Sequence, residues 1–458
     1  MARRFLFVVP VALPVAFSVA VAQVNNPGGP PMAPRADYAL TNVRIVTAPG
    51  KVIDRGTIII RDGRIAAVGA DVAIPAGVVR MDLTGHSVYA GLIDAATSIG
   101  LPNPARGLPS DVTPAVGRGA PPGGRGVPLG RGQGPPPPVV LPELDADAEA
   151  ADMFAPTDDE LKSFRAGGVT TVGLVFQGGI FPGRVGAALT GARDGQRLAL
   201  RAGAGQEVAF GTKRGGGYPA TGIGVVAFIR QAFLDAQYEA RVDRALKAGT
   251  PGARPSNDPF RRSLMPAAMN EMPSWFLAST ERQITRVSEI TSELGLKNPV
   301  IVGVQEGWRA MPMLKRTGAT AVVSLLWPSA DSITGREYLA VGSGRSGIAP
   351  PADAAAINEV RANASALVKA GVPVVLASYG GESGATFRDR IRMTIEAGMN
   401  ADDALRAATV TPAALLGITS MVGTIDVGKL ANLVVVPGNN LFAAATPIKH
   451  VFVEGRLY

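Results

Sequence analysis

The chain has 458 residues, with 45 Lys and Arg against 37 Asp and Glu, 56 Gly, 37 Pro, two His and no Cys. Without Cys there are no disulfide frameworks, thiolate metal sites or cysteine nucleophiles, and His86 and His450 alone cannot build a site of three or four imidazoles. The net charge of +8 comes without a basic stripe interleaved with aromatics, so nucleic acid is not an expected partner.

In chain order, Met1 to Arg4 is a short basic region, Phe5 to Val21 is apolar but interrupted by Pro10 and Pro14, and Ala20-Val21-Ala22 precedes Gln23. This pattern predicts a cleaved signal peptide over residues 1–22 and a periplasmic or secreted protein. Arg3-Arg4 leaves the choice between general and twin-arginine export open, and the lack of Cys removes lipid attachment. No later segment offers about 20 uninterrupted apolar residues, so no stable membrane insertion is expected after signal removal.

Residues 23–36 are rich in Pro, Gly and Asn and read as a flexible lead-in. Short β-branched runs follow: Leu40 to Thr47, Thr57 to Arg61, Arg64 to Val68 and Val78 to Leu83. Asp62-Gly63 suits the positive φ angles of a two-residue hairpin turn. Matching texture returns at Ala431 to Val436 and Ile448 to Val453, which predicts a small β-domain assembled from residues 37–86 and 419–458.

Between them, strand-like and helix-like stretches alternate. The expected strands are Ser87 to Ile93, Val169 to Phe176, Trp275 to Ser279, Pro299 to Val304, Ala319 to Trp327 and Val372 to Ala377. Expected helices are Thr157 to Ala166, Val225 to Lys247, Thr280 to Leu294, Ala352 to Lys369, Thr386 to Ala397 and Ala401 to Ala408. Thr157 and Asn400 stand where an N-cap belongs, each followed by acidic residues. Short apolar strands alternating with helices indicate a parallel sheet covered on both faces, open or closed. The span 87–418 suits a closed (β/α)8 barrel of about 250 residues plus insertions. One insertion is plain: of residues 101–140, 20 are Gly or Pro. Such a segment cannot bury enough apolar surface to offset its ordering, and it reads either as a flap over a barrel mouth or as a spacer.

Three further sets of residues resemble a known family. Ala39 to Val46, Gly56 to Gly69 and Gly91-Leu-Ile-Asp94 follow the opening of the amidohydrolase superfamily; Ala404 to Thr409, Thr411 to Gly417, Gly423 to Val436 and Val451 to Gly455 follow its ending. Gly168 to Val172, Gly217-Tyr-Pro219 and Ile229-Arg-Gln231 are similar to the imidazolonepropionase-like, exported bacterial branch. The resemblance implies a (β/α)8 TIM-like barrel with a small β-sandwich from both termini, and hydrolysis of non-peptide carbon–nitrogen bonds by water on zinc or another divalent metal.

The same resemblance implies that the metal ligands are missing. The two positions of its His-x-His pair fall on Ala96 and Ser98, a middle-strand histidine position on Leu277, and the general-base aspartate position on Tyr379. Val302 to Glu306 holds no histidine; His86 reads as a turn residue and His450 as part of a terminal strand. Metal and other cofactors are therefore not expected. Gln177, Glu306, Tyr379 and Glu382 fall just after expected strands and are the pocket candidates, with Lys213 to Gly217 as a glycine-rich anion loop or a plain flexible one. Gly342 to Gly347 lacks the Lys and the context of a phosphate loop. Two readings stay open: a degenerate pseudoenzyme that binds a small amide or peptide-like ligand or pairs, as a homo- or hetero-oligomer, with an intact amidohydrolase; or a hydrolase using carboxylates such as Glu306 or a partner-supplied metal site.

Overall fold

The computed structural model describes residues 36–102, 144–176, 178–191, 198–211, 219, 221–254, 258–326, 354–379, 384–444 and 446–458. The signal segment 1–22, most of the 101–140 insertion, Gln177, the 213–217 loop, residues 342–347 and Glu382 lie outside them.

The chain opens with β1 (Tyr38–Ala48), β2 (Lys51–Arg61), β3 (Arg64–Gly69), β4 (Val79–Asp82) and β5 (His86–Ala90). Asp62 and Gly63 take φ angles of 50° and 77°, as the tight turn between β2 and β3 requires. The next strand, β6 (Leu92–Thr97), belongs to a different sheet, so the single strand expected over Ser87 to Ile93 is two. The changeover falls at Gly91 rather than at residue 87. A Cβ there would lie 2.1 Å from the Thr170 hydroxyl, so only glycine lets the crossing pass so close to the neighbouring strand.

Then come α1 (Ala150–Met153), α2 (Asp158–Ala166), β7 (Val169–Leu174), β8 (Arg184–Leu189) and β9 (Ala199–Ala209). Thr157 caps α2 through a reciprocal pair, its side chain accepting from Glu160 N while Glu160 accepts from Thr157 N. The remainder runs α3 (Gly222–Lys247), α4 (Pro259–Ala268), β10 (Ser274–Leu277), α5 (Glu281–Leu294), β11 (Val300–Val304), α6 (Met311–Thr317), β12 (Thr320–Ser324), α7 (Ala354–Lys369), β13 (Val374–Ala377), α8 (Gly384–Glu396), α9 (Ala401–Ala407), α10 (Val410–Leu415), β14 (Leu433–Pro437), β15 (His450–Val453) and β16 (Arg456–Leu457).

Strands β6 to β13 form one eight-stranded sheet in sequence order. Its ends meet where Tyr379 N donates to Ala96 O at 3.0 Å and Ser378 N to an Asp94 carboxylate oxygen at 2.9 Å. This is the expected TIM-like barrel with one departure: β8 runs antiparallel to both β7 and β9, so β7, β8 and β9 follow one another as a meander instead of through helical crossovers. Inside, Ile93, Trp275, Val300, Val302, Val322, Val375 and Ala377 form one cluster. The alternate residues Phe276, Ile301, Val323 and Leu376 join Ile284, Val287 and Ile290 of α5 and Leu367 of α7 in another. Burial on both faces is why these strands read as continuous apolar runs.

The second sheet has the order β16, β15, β14, β5, β1, β2, β3, with β4 also paired to β1. It joins the two ends of the chain and curls around its own core of Leu40, Ile45, Ile58, Ile60, Leu433, Val435 and Phe452. Along β14 the other alternate residues, Val434 and Val436, pack with the barrel's outer layer. Two side chains of β5 reach the far end of the sequence, with Ser87 Oγ on Gly438 O at 2.6 Å and Tyr89 OH on Asn439 O at 2.7 Å, the latter spanning 350 positions.

Candidate functional site at the barrel mouth

The C-terminal ends of parallel barrel strands expose loops and converging side chains, which is where a barrel does chemistry. Tyr379, two residues beyond β13, is 7% exposed and has φ of 32°. A bulky residue at positive φ costs on the order of 1–3 kcal/mol, so the surroundings must hold it there. One hold is its N–H bond to Ala96. The other is its ring, which packs on the bare backbone of Gly303 in β11, 3.1 Å from where a Cβ would stand. The first and last strands thus bring two of the positions singled out in the sequence, Ala96 and Tyr379, into direct contact.

Leu277 lies at the end of β10, in register with Ala209 of β9 and Val302 of β11, and is half-buried. Ser98 follows β6 and is also half-buried. Glu306 serves a helix end: its carboxylate accepts from Glu281 N at 2.9 Å and so caps α5 beside Thr280, whose side chain accepts from Gln283 N.

Two fully buried carboxyl groups stand on the barrel strands, and sequence reading singled out neither as a site residue. Asp94 on β6 is fully buried; its oxygen takes the Ser378 and Ala96 N–H groups, yet burial raises its pKa from 3.8 to about 6. Glu207 on β9 is also fully buried. One oxygen accepts from Phe176 N at 2.8 Å, and the other has no partner. Burial pushes its pKa well above the ordinary carboxylate range, against the smaller opposing effect of the Phe176 bond. The Tyr379 phenol is pushed up in turn, first by burial and then by the charge of Glu207. An acid followed by the apolar Val208-Ala209-Phe210 was the available signal for Glu207. It went unread because β9 opens with Ala, Arg and Gly and carries little β-branched character.

A divalent metal does not fit the described residues. No group of three or more His, Cys, Asp and Glu converges among them. Both histidines sit in the other sheet, His86 opposite Pro437 and His450 opposite Val435. Burial, and after it Lys449 and His86, lowers the His450 pKa. No Lys, Arg or His is buried among the described residues, so no cation answers Glu207 from within the core.

Residues 310–458 match the model of the amidohydrolase family. Among solved structures, an amidohydrolase from Thermotoga maritima MSB8 is 21% identical, with 92% of this chain and 99% of that one covered and a TM-score of 0.68. A Xaa-Pro dipeptidase with bound methionine in the active site is 16% identical over 92% of this chain and all of that one, with a TM-score of 0.52. Molinate hydrolase is 16% identical over 92% and 94%, with a TM-score of 0.51. At these identities the likeness is one of fold. No curated protein matches.

Proposed function

With residues 310–458 matching the amidohydrolase family and the described chain folded as an amidohydrolase-like barrel, we propose that this protein is an amidohydrolase scaffold that no longer performs metal-dependent hydrolysis and instead binds a small ligand or pairs with an active homologue. The observation that carries this reading is the mouth itself. By the family resemblance the donor positions fall on Ala96, Ser98, Leu277 and Tyr379, none of them a histidine or carboxylate, and the chain's two histidines are both in the other sheet.

Stoichiometric metal analysis of the purified chain, with assays over N-acyl amino acids, dipeptides and lactams, tests it. The expected result is metal far below one per chain and no turnover restored by zinc. Bound zinc at one per chain with metal-dependent turnover overturns it. Catalysis through Glu306 is disfavoured by its helix-capping bond, and Glu306→Gln is expected to leave any residual turnover unchanged.

Export is part of the same proposal. Processing after Ala22 would give a mature chain starting at Gln23, which N-terminal sequencing of the protein from a periplasmic fraction would show. No helix among the described residues is long and apolar enough to cross a membrane.

A further inference from the structure

The longest helix among the described residues, α3, is apolar on two sides. Val225, Ile229, Ala232, Phe233, Ala236 and Ala240 are buried on the inner side, where α3 packs on α4 and α5. The outer side carries Ile223, Ala227, Leu234 and Tyr238, all exposed, with Ile223 at 86%, Leu234 at 46% and Tyr238 at 56%. At about 3.6 residues per turn these four share one stripe with Arg230, Arg241 and Ala245. A surface helix ordinarily turns a polar face to water, so an apolar stripe on the outer side marks a contact surface.

The spacing of this stripe is the same in both directions. Ile223, Ala227 and Arg230 precede Leu234 by 11, 7 and 4 residues, and Tyr238, Arg241 and Ala245 follow it by 4, 7 and 11. Leu234 also stands at the middle of the helix. A two-fold axis through Leu234 would lay the stripe of one copy antiparallel on that of another, with each position on its counterpart. Ile223 then faces the small Ala245, Ala227 leaves room for the stem of Arg241, Arg230 faces the ring of Tyr238, and Leu234 faces itself. Arg230 is set for this contact, because Glu293 of α5 holds its guanidinium at 2.6 Å and offsets its charge. Parallel pairing would instead put Arg230 on Arg230 and Arg241 on Arg241, which repel.

We propose that α3 is the interface through which two copies of this chain pair, antiparallel about a two-fold axis at Leu234. From Ile223 to Ala245 the stripe is about 33 Å long at 1.5 Å per residue, enough for contact along the helix at a shallow crossing angle. A different protein docking here would need no symmetry in the stripe, whereas a second copy does. Such an interface uses the same patch on both subunits, so assembly closes at two. The pairing involves no residue of the barrel mouth, and it stands or falls apart from the non-catalytic reading given above.

The chain has no cysteine, so introduced ones report contacts without background. In the purified full chain, oxidised with copper phenanthroline, Leu234→Cys is expected to cross-link to itself, because residues on the axis come within disulfide reach. Ala227→Cys and Arg241→Cys are each expected to stay single and to cross-link when the two variants are mixed. Sedimentation velocity over a concentration series is expected to show an equilibrium between monomer and dimer. Leu234→Arg sets two cations face to face and should raise the dissociation constant about tenfold or more. Leu234 lies outside the core, so that variant keeps the fold, and the cross-linking reads the interface without it. A monomer at every concentration, a dimer indifferent to Leu234→Arg, or Ala227→Cys cross-linking to itself as readily as Leu234→Cys overturns the inference. None of these results bears on metal content or turnover, which test the other reading.

Discussion

Asp94 is the residue at which the barrel's closure and its electrostatics meet. Its carboxylate accepts the Ser378 N–H that helps join β6 to the end of β13, while burial raises its pKa from 3.8 to about 6. A carboxyl whose folded pKa lies above its unfolded value holds its proton more firmly in the folded state. Its favourable contribution is complete below pH 3.8 and disappears as the pH climbs through 6. The difference is worth up to about 3 kcal/mol at 1.36 kcal/mol per unit. Asp94→Asn keeps an oxygen for Ser378 N and removes the titration. Urea unfolding of the two proteins across this range is expected to show the variant gaining on the parent as pH rises, and parallel stability curves would refute the assignment. At this scale the sequence was legible at its ends and opaque in its middle. Ala96 and Tyr379, placed by flanking motifs, meet through one hydrogen bond. Glu207 and Trp275 become neighbours only through strand register, which no local pattern encodes.

Among the elements, the crossing from one sheet to the other is the most constrained. Gly91→Ala places a methyl group 2.1 Å from the Thr170 hydroxyl and is expected to cost about 1–3 kcal/mol, measured by chemical denaturation. The α5 N-terminus offers a gentler case. Thr280→Ala removes an acceptor for Gln283 N and should cost about 1 kcal/mol, with Glu306→Ala adding to it because Glu306 serves a different N–H, that of Glu281. Caps were readable in advance, since Thr157 and Asn400 do cap α2 and α9. Sheet membership was not: Ser87 to Ile93 is one apolar run by composition, and only Gly91 within it marks the division. The meander β7, β8, β9 was hidden for a different reason. Expectation of helix after every strand suits parallel pairs, whereas the Ala- and Gly-bearing β8 and β9 form antiparallel pairs that need no crossover.

For the whole molecule, interior side chains from Trp275 to Ala377 pack as one cluster, and the barrel is predicted to hold together without a metal. Exhaustive chelation is therefore expected to leave the thermal unfolding midpoint unchanged, and a drop of several degrees on chelator treatment would show otherwise. The curled sheet imposes a different condition. Its β5 strand sits between β1 and β14, and Tyr89 reaches Asn439 across 350 positions. Until Leu433–Pro437 of β14 is in place, β1 and β5 are left with one edge of β5 open. An unmatched apolar edge of that kind invites pairing with another chain. Loss of the last few dozen residues would not simply shorten this protein. It would leave the β5 edge that β14 pairs with uncovered, and such a truncation is expected to aggregate where the full chain does not.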